Sequence, residues 1–185
     1  MLGVPAVVPF IGSTRLVVER GMQGATGNIY NGLHEEAEML FVLHLLRKDD
    51  LFVDVGANVG VYTILASGAR GARSISLEPV PATFSGLIDN ININRLEPLV
   101  EALNLAAGRT EGQINFTMDH GPMNHAVAEG ESAGKTMAVP VRPLDLIVGD
   151  RRPLLIKIDV EGFEPEVIAG AQKVIHEPTL LAVIA

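Results

Sequence analysis

The chain has 185 residues, 48% of them apolar, and carries a formal net charge of −8. Length and composition favour one folded domain over a disordered chain. The acidic balance argues against nucleic acid and against an anionic membrane surface as partners, and without cysteine there are neither disulfides nor thiolate metal sites, which fits a reducing cytoplasm.

The N-terminal stretch MLGVPAVVPFIG is apolar but interrupted by Pro5 and Pro9 and lacks a basic start. It reads as a strand or arm rather than a signal peptide. No run approaches the roughly 18 apolar residues that a membrane-spanning helix needs. Residues 15–19 suggest a short strand and 21–27 a loop. Asn31 is a candidate cap for a helix running to Arg47, with Ala37, Leu40, Phe41, His44 and Leu45 on one face. Residues 1–50 thus lead into a core over 51–185, one domain overall.

From Leu51 onwards strands and helices alternate. Strands are predicted at 51–55, 74–78 and 99–103, with helices near 59–69 and from Pro81 onwards, the latter presenting Phe84, Leu87, Ile88 and Ile91. Asn90, Asn92 and Asn94 read as residues that decorate and end that helix. The alternation breaks at 107–112, which is turn-rich. A half-buried strand is predicted at 113–118 (Ile114, Phe116 and Met118 inward), a long loop at 119–135, a strand at 137–142 and a short helix from Pro143. An apolar strand at 154–158, a helix over 163–175 and a final apolar strand at 180–185 complete the chain. This pattern predicts a doubly wound, mostly parallel α/β sheet covered on both faces. So apolar a final strand should be covered by a further C-terminal piece or by another chain, and the latter makes a homo-oligomer through that strand an expectation.

The stretch LFVDVGANVG, residues 51–60, is the expected centre of function. A buried strand runs into Asp54, and Gly56, Asn58 and Gly60 follow where the chain turns into a helix. Ligands of open α/β sheets bind outside the carboxyl ends of the strands. The second strand ends at Glu78, suited to accept hydrogen bonds from both hydroxyls of a ribose, with Pro79 stiffening the turn; the competing reading is a cap for the next helix. A dinucleotide site would need GxGxxG, and here the third glycine is absent. A carboxylate at Asp54 suits a ligand with an ammonium or sulfonium, hence S-adenosylmethionine, better than one with phosphates. No GK[ST] follows, which excludes a P-loop.

The second cluster is Lys157-Ile-Asp-Val-Glu-Gly162. Asp159 and Glu161 stand two apart at a strand end, so a shared face is expected. They could hold the cofactor's amino group, orient the acceptor or take a proton; the alternative is a helix N-cap. His120 and His125 lie in the long loop, and His125 is a candidate general base for a hydroxyl. Ala106, after the third strand, could lie against an adenine or simply pack. His34, Glu35, Glu36 and Glu38 do not converge on a helix, so they read as a solvated face rather than a metal site. Nothing requires a metal, although an Asp-rich edge could host Mg²⁺.

The motifs DVGANVG, EPVPATF, NLAAG, VPVRPLDLI and KIDVEGFEPEVIAGA occur in this order. Together they resemble the FkbM family of S-adenosylmethionine-dependent methyltransferases, over about Glu35 to Ala185. The resemblance implies a Rossmann-like class I methyltransferase fold with strand order 3-2-1-4-5-7-6. It implies cofactor contacts from Asp54, Gly56, Asn58, Gly60 and Glu78, with Asp159 and Glu161 near the transferred methyl. It also implies O-methylation of a small molecule or saccharide. The last strand pair of that order has no counterpart in this sequence, and residues 119–135 match no family motif. Three other readings stay open: a cofactor-binding module without turnover, an NAD-dependent oxidoreductase, and an assembly protein pairing through its terminal strand.

Overall fold

A computed structural model describes residues 5–18, 32–117 and 136–185. The Asn31 cap, the loop at 21–27, Met118 and both loop histidines, His120 and His125, lie outside the described residues.

The chain opens with an antiparallel hairpin, β1 (Ala6–Pro9) and β2 (Arg15–Val18), followed by helix α1 (Glu36–Leu45). Then come β3 (Leu51–Val55) and α2, which begins as an α-helical turn, Val61–Thr63, and continues as a π-helix, Ile64–Ala69. Next are β4 (Arg73–Leu77), α3 (Pro81–Asn94), β5 (Val100–Leu103) and the two-residue β6 (Ala106–Ala107). After β7 (Gly112–Thr117) come β8 (Thr136–Arg142), α4 (Leu144–Val148), β9 (Leu155–Ile158), α5 (Glu164–Ala169), a 3-10 turn at Val174–His176 and β10 (Ala182–Ile184).

Five strands form a wholly parallel sheet in the order β5-β4-β3-β9-β10, the first five places of the order expected above. β6, β8 and β7 form a separate three-stranded sheet, which accounts for the broken alternation. No helix among the described residues is long and apolar enough to cross a membrane.

Successive side chains of a strand point to opposite faces. Val53, Val55, Ile75, Leu77, Ile156 and Ile158 therefore form one core with Leu144, Ile147 and Val167 of α4 and α5. Phe52 and Leu155 point the other way, into a core with α1, α2, α3 and the hairpin residues Leu16 and Val18. On this second face the strands are not continuously apolar, because Asp54, Ser74, Ser76 and Lys157 alternate with the apolar positions and are all buried.

Three local expectations are corrected. Helix α1 packs through Met39, Val42 and the following Leu46, while Leu40 and Phe41 face outward. Its sequence is apolar almost all round, so periodicity alone could not orient it. Helix α3 does end at Asn94 as expected, but Asn90 and Asn94 are more than decoration. Fully buried Asn90 accepts from Val17 N (2.7 Å) and donates to Val59 O (2.8 Å), and Asn94 accepts from Arg15 N (2.8 Å) and donates to Arg15 O (2.7 Å). These amides stand in for a neighbouring strand along β2 and dock the hairpin on α3. The helix expected over 163–175 stops at Gly170, whose backbone rests on the Gly108 carbonyl so closely that a Cβ would overlap it. Asp145 then caps the next turn by accepting from Lys173 N (2.9 Å) and Val174 N (2.8 Å).

Candidate active site

The register brings three strand ends to one level, since Val55 pairs with Leu77 of β4 and with Ile158 of β9. The turns that follow are joined by backbone bonds. Gly56 N and Ala57 N donate to Leu77 O (3.0 and 2.8 Å), and Asp159 N donates to Val55 O (3.0 Å). Gly56 is required here twice over: its φ is +80°, and a Cβ would overlap the Asp159 carbonyl. The first glycine of the motif therefore serves the seam between the β3 and β9 turns. Asn58 also adopts a left-handed conformation, φ 51°, and Gly60 precedes the first residue of α2.

Glu78 follows β4 and is buried. Its Oε2 accepts from Asn58 N (3.0 Å) and its Oε1 from Val80 N (2.9 Å). Burial pushes its carboxyl up to about 7, with the two backbone donors opposing. The capping alternative is thus met through Val80, and the same carboxylate ties together the turns after β3 and β4. A carboxylate has about four lone-pair positions, so acceptor capacity remains. Asn104, which the sequence reading passed over inside NLAAG, donates to Glu78 O (2.8 Å) and Pro79 O (3.0 Å) and holds this turn.

Asp54 is completely buried. Ser76 and Thr63 hydroxyls lie 2.7 Å apart, and Thr63 donates to Asp54 Oδ2 at 2.7 Å, so the order of donation is Ser76 to Thr63 to Asp54. Among the described residues, Asp54 Oδ1 has no hydrogen-bond partner. Burial raises this carboxyl, and the charge of Lys157 works against the shift.

A cleft opens beside this floor. Gly56–Val59 line it from the β3 turn, Val61 and Tyr62 from α2, Lys157 and Asp159 from β9 and its turn, and His34, Glu35 and Met39 from the start of α1. Lys157, with 7% of its side chain exposed, donates to Asp159 Oδ2 at 2.8 Å and sits 4.7 Å from the Tyr62 ring centroid. Tyr62 in turn donates its hydroxyl to Glu35 Oε2 at 2.6 Å, and burial beside that carboxylate raises the phenol. His34, Glu35, Glu36 and Glu38 are all exposed, as the solvated-face reading expected, and the first two also line the cleft.

The other candidates fall differently. Asp159 lines the cleft. Glu161 does not share its face, because β9 ends at Ile158 and Glu161 sits in a turn at φ 51°, exposed and away from the cleft lining, so strand alternation does not apply. Ala106 is buried with Phe116, Val139 and Val141 in the core of the small sheet rather than along the cleft. Lys157 and Tyr62 were missed as site residues. The available signal was a lysine inside the apolar run LLIKI. No group of three or more metal-binding side chains converges among the described residues.

Residues 54–183 match the family model of the methyltransferase FkbM domain. The chain belongs to this family. The match begins at Asp54, inside β3, and ends at Val183, inside β10, so it reaches all five strands of the parallel sheet. The chain is 30% identical over 141 residues to hexuronic acid methyltransferase AglP of Haloferax volcanii, covering 74% of this chain and 56% of that protein. It is 27% identical over 146 residues to Methyltransferase 1 of Beauveria bassiana, covering 66% and 58%. This FkbM chain thus spans a little over half the length of these curated relatives. A crystal structure of methyltransferase FkbM from Methylobacillus flagellatus KT superposes with a TM-score of 0.54 at 18% identity, covering 88% of this chain and 43% of that one. At that identity the likeness shows the fold alone: a Rossmann-like class I methyltransferase sheet.

Proposed function

We propose that this FkbM domain binds S-adenosylmethionine in the cleft at the carboxyl edge and transfers its methyl group to a hydroxyl of a small-molecule or saccharide acceptor. The observation that carries the reading is the charge of the cleft. Glu35 and Asp159 line it, buried Asp54 has an oxygen without a donor, and Lys157 is the one lysine among the lining residues. An excess of carboxylates suits a ligand with a cationic group and disfavours the pyrophosphate of a dinucleotide. When bound, S-adenosylmethionine supplies a methyl group on a sulfonium, already a good leaving group. The protein's own task is then positioning. Glu78 would hold the ribose hydroxyls through its uncommitted lone pairs, with Asn58, Pro79 and Asn104 fixing its place. The Gly56–Gly60 turn would carry the rest of the nucleoside. Asp159, half-exposed at the mouth of the cleft, is placed to hold the ammonium of the cofactor's amino-acid end, and the acceptor's hydroxyl proton leaves to bulk water as the methyl is transferred. Likeness to a hexuronic acid methyltransferase supports a saccharide among the acceptors, and the net charge of −8 supports neither nucleic acid nor an anionic membrane.

Calorimetric titration with S-adenosylhomocysteine tests the cofactor, with NADH as control and Glu78→Ala in parallel. Micromolar binding, about 8 kcal/mol, lost in the variant and absent for NADH, is expected. A folded chain that binds NADH, or neither ligand, overturns the reading. Incubation with S-adenosylmethionine and a panel of saccharides then separates a methyltransferase, which releases S-adenosylhomocysteine, from a module that only binds.

A further inference from the structure

Asp54 and Lys157 are register partners across β3 and β9 and share one face of the sheet. They nevertheless make no ion pair. Among the described residues Lys157 donates to Asp159 Oδ2 (2.8 Å), and its ammonium carries three N–H donors in all. Asp54 Oδ1, one strand away, has no donor among the described residues. A buried acceptor without a donor is costly, because it loses its hydration without compensation. The ammonium sits instead on a carboxylate that is 54% exposed, where another cation can compete for it.

We propose that Lys157 is an exchangeable counter-ion and a positioning residue: when a cationic group of the ligand takes Asp159, the Lys157 ammonium passes to Oδ1 of Asp54. This rests on the S-adenosylmethionine reading, which makes the cationic group the ammonium of the cofactor's amino-acid end. In the free cleft Asp159 is paired and Asp54 is short of a donor. In the occupied cleft both carboxylates are met, one by the ligand and one by the protein. Part of the affinity then comes from a bond formed within the protein, and a ligand lacking the cation does not trigger it. Tyr62, with its ring beside Nζ and its hydroxyl held by Glu35, bounds the space through which the ammonium moves.

The test compares S-adenosylhomocysteine with 5′-methylthioadenosine, which lacks the amino-acid end, on wild type, Asp54→Asn and the double variant Asp54→Asn/Lys157→Met. In Asp54→Asn the carboxylate charge is gone, and with the amide oxygen held by the Thr63 hydroxyl the NH2 donor faces Lys157, so the ammonium stays on Asp159. S-adenosylhomocysteine should then weaken by about tenfold or more while methylthioadenosine is unchanged. The double variant frees Asp159, and the lost affinity should largely return. A double variant no tighter than Asp54→Asn, or equal weakening of both ligands, overturns the exchange and leaves the cofactor reading standing. If wild type binds neither nucleoside, the cofactor reading falls and the exchange with it. Should Asp54→Asn fail to fold, a crystal structure of wild type with S-adenosylhomocysteine decides: Lys157 Nζ on Asp54 Oδ1 supports the exchange, and Nζ still on Asp159 overturns it.

Discussion

The two faces of the parallel sheet are built from the same strands and do different work. On one, Val53, Ile75, Ile156 and Ile158 meet α4 and α5 in an apolar core. On the other, Asp54, Ser76 and Lys157 lie in the same layer as Phe52 and Leu155, beneath α2 and the cleft. Burial on the first face is stabilising without qualification. On the second it is costly unless each polar group is met, and Asp54 Oδ1 is not. The face that pays for buried charge is the face that carries the cleft, the candidate site.

That contrast can be broken or sharpened by substitution. The largest effect is expected from Ile156→Ala, which truncates a fully buried side chain on the apolar face. It should cost about 2–5 kcal/mol in urea unfolding with ligand affinity per folded molecule unchanged; a selective loss of affinity would erase the distinction between the faces.

Next is the pH dependence set by Glu78. Its folded carboxyl is raised from 4.5 to about 7, so between these values the folded state binds more protons than the unfolded one. The contribution is therefore fully present below 4.5 and is lost as pH rises through about 7, about 3 kcal/mol in all. Glu78→Gln should flatten that slope in unfolding curves taken across the window. Ribose hydroxyls donate to the ionised form, so S-adenosylhomocysteine affinity should run the other way and rise with pH through the same window.

Thr63→Val is smaller. It keeps the shape but takes the one hydroxyl donor from Asp54, and should cost about 1–3 kcal/mol. A neutral result would mean that Asp54 is met by a donor other than Thr63. Smallest is Arg109→Ala, which removes an exposed pair with Glu166. No resolvable change in the unfolding midpoint is expected, since exposed pairs contribute little.

Much of this was legible in the chain itself. Alternating apolar runs and helical spacings gave the parallel sheet, and the strand ends carried Asp54, Glu78 and Asp159 to its carboxyl edge, because period and turn chemistry are local properties. The face of α1 was not legible, since two neighbouring stripes of that helix are equally apolar. Nor were the links that join distant residues: Asn90 and Asn94 on β2, Tyr62 on Glu35, Gly56 against Asp159. Strand register alone set Lys157 opposite Asp54, 103 residues apart by their numbers. The sequence by itself determined which layers form and which acids reach the carboxyl edge, through hydrophobic periodicity and turn residues. Only the tertiary structure decided which charges are buried together and which of them lacks a partner, because that depends on how separate strands are aligned.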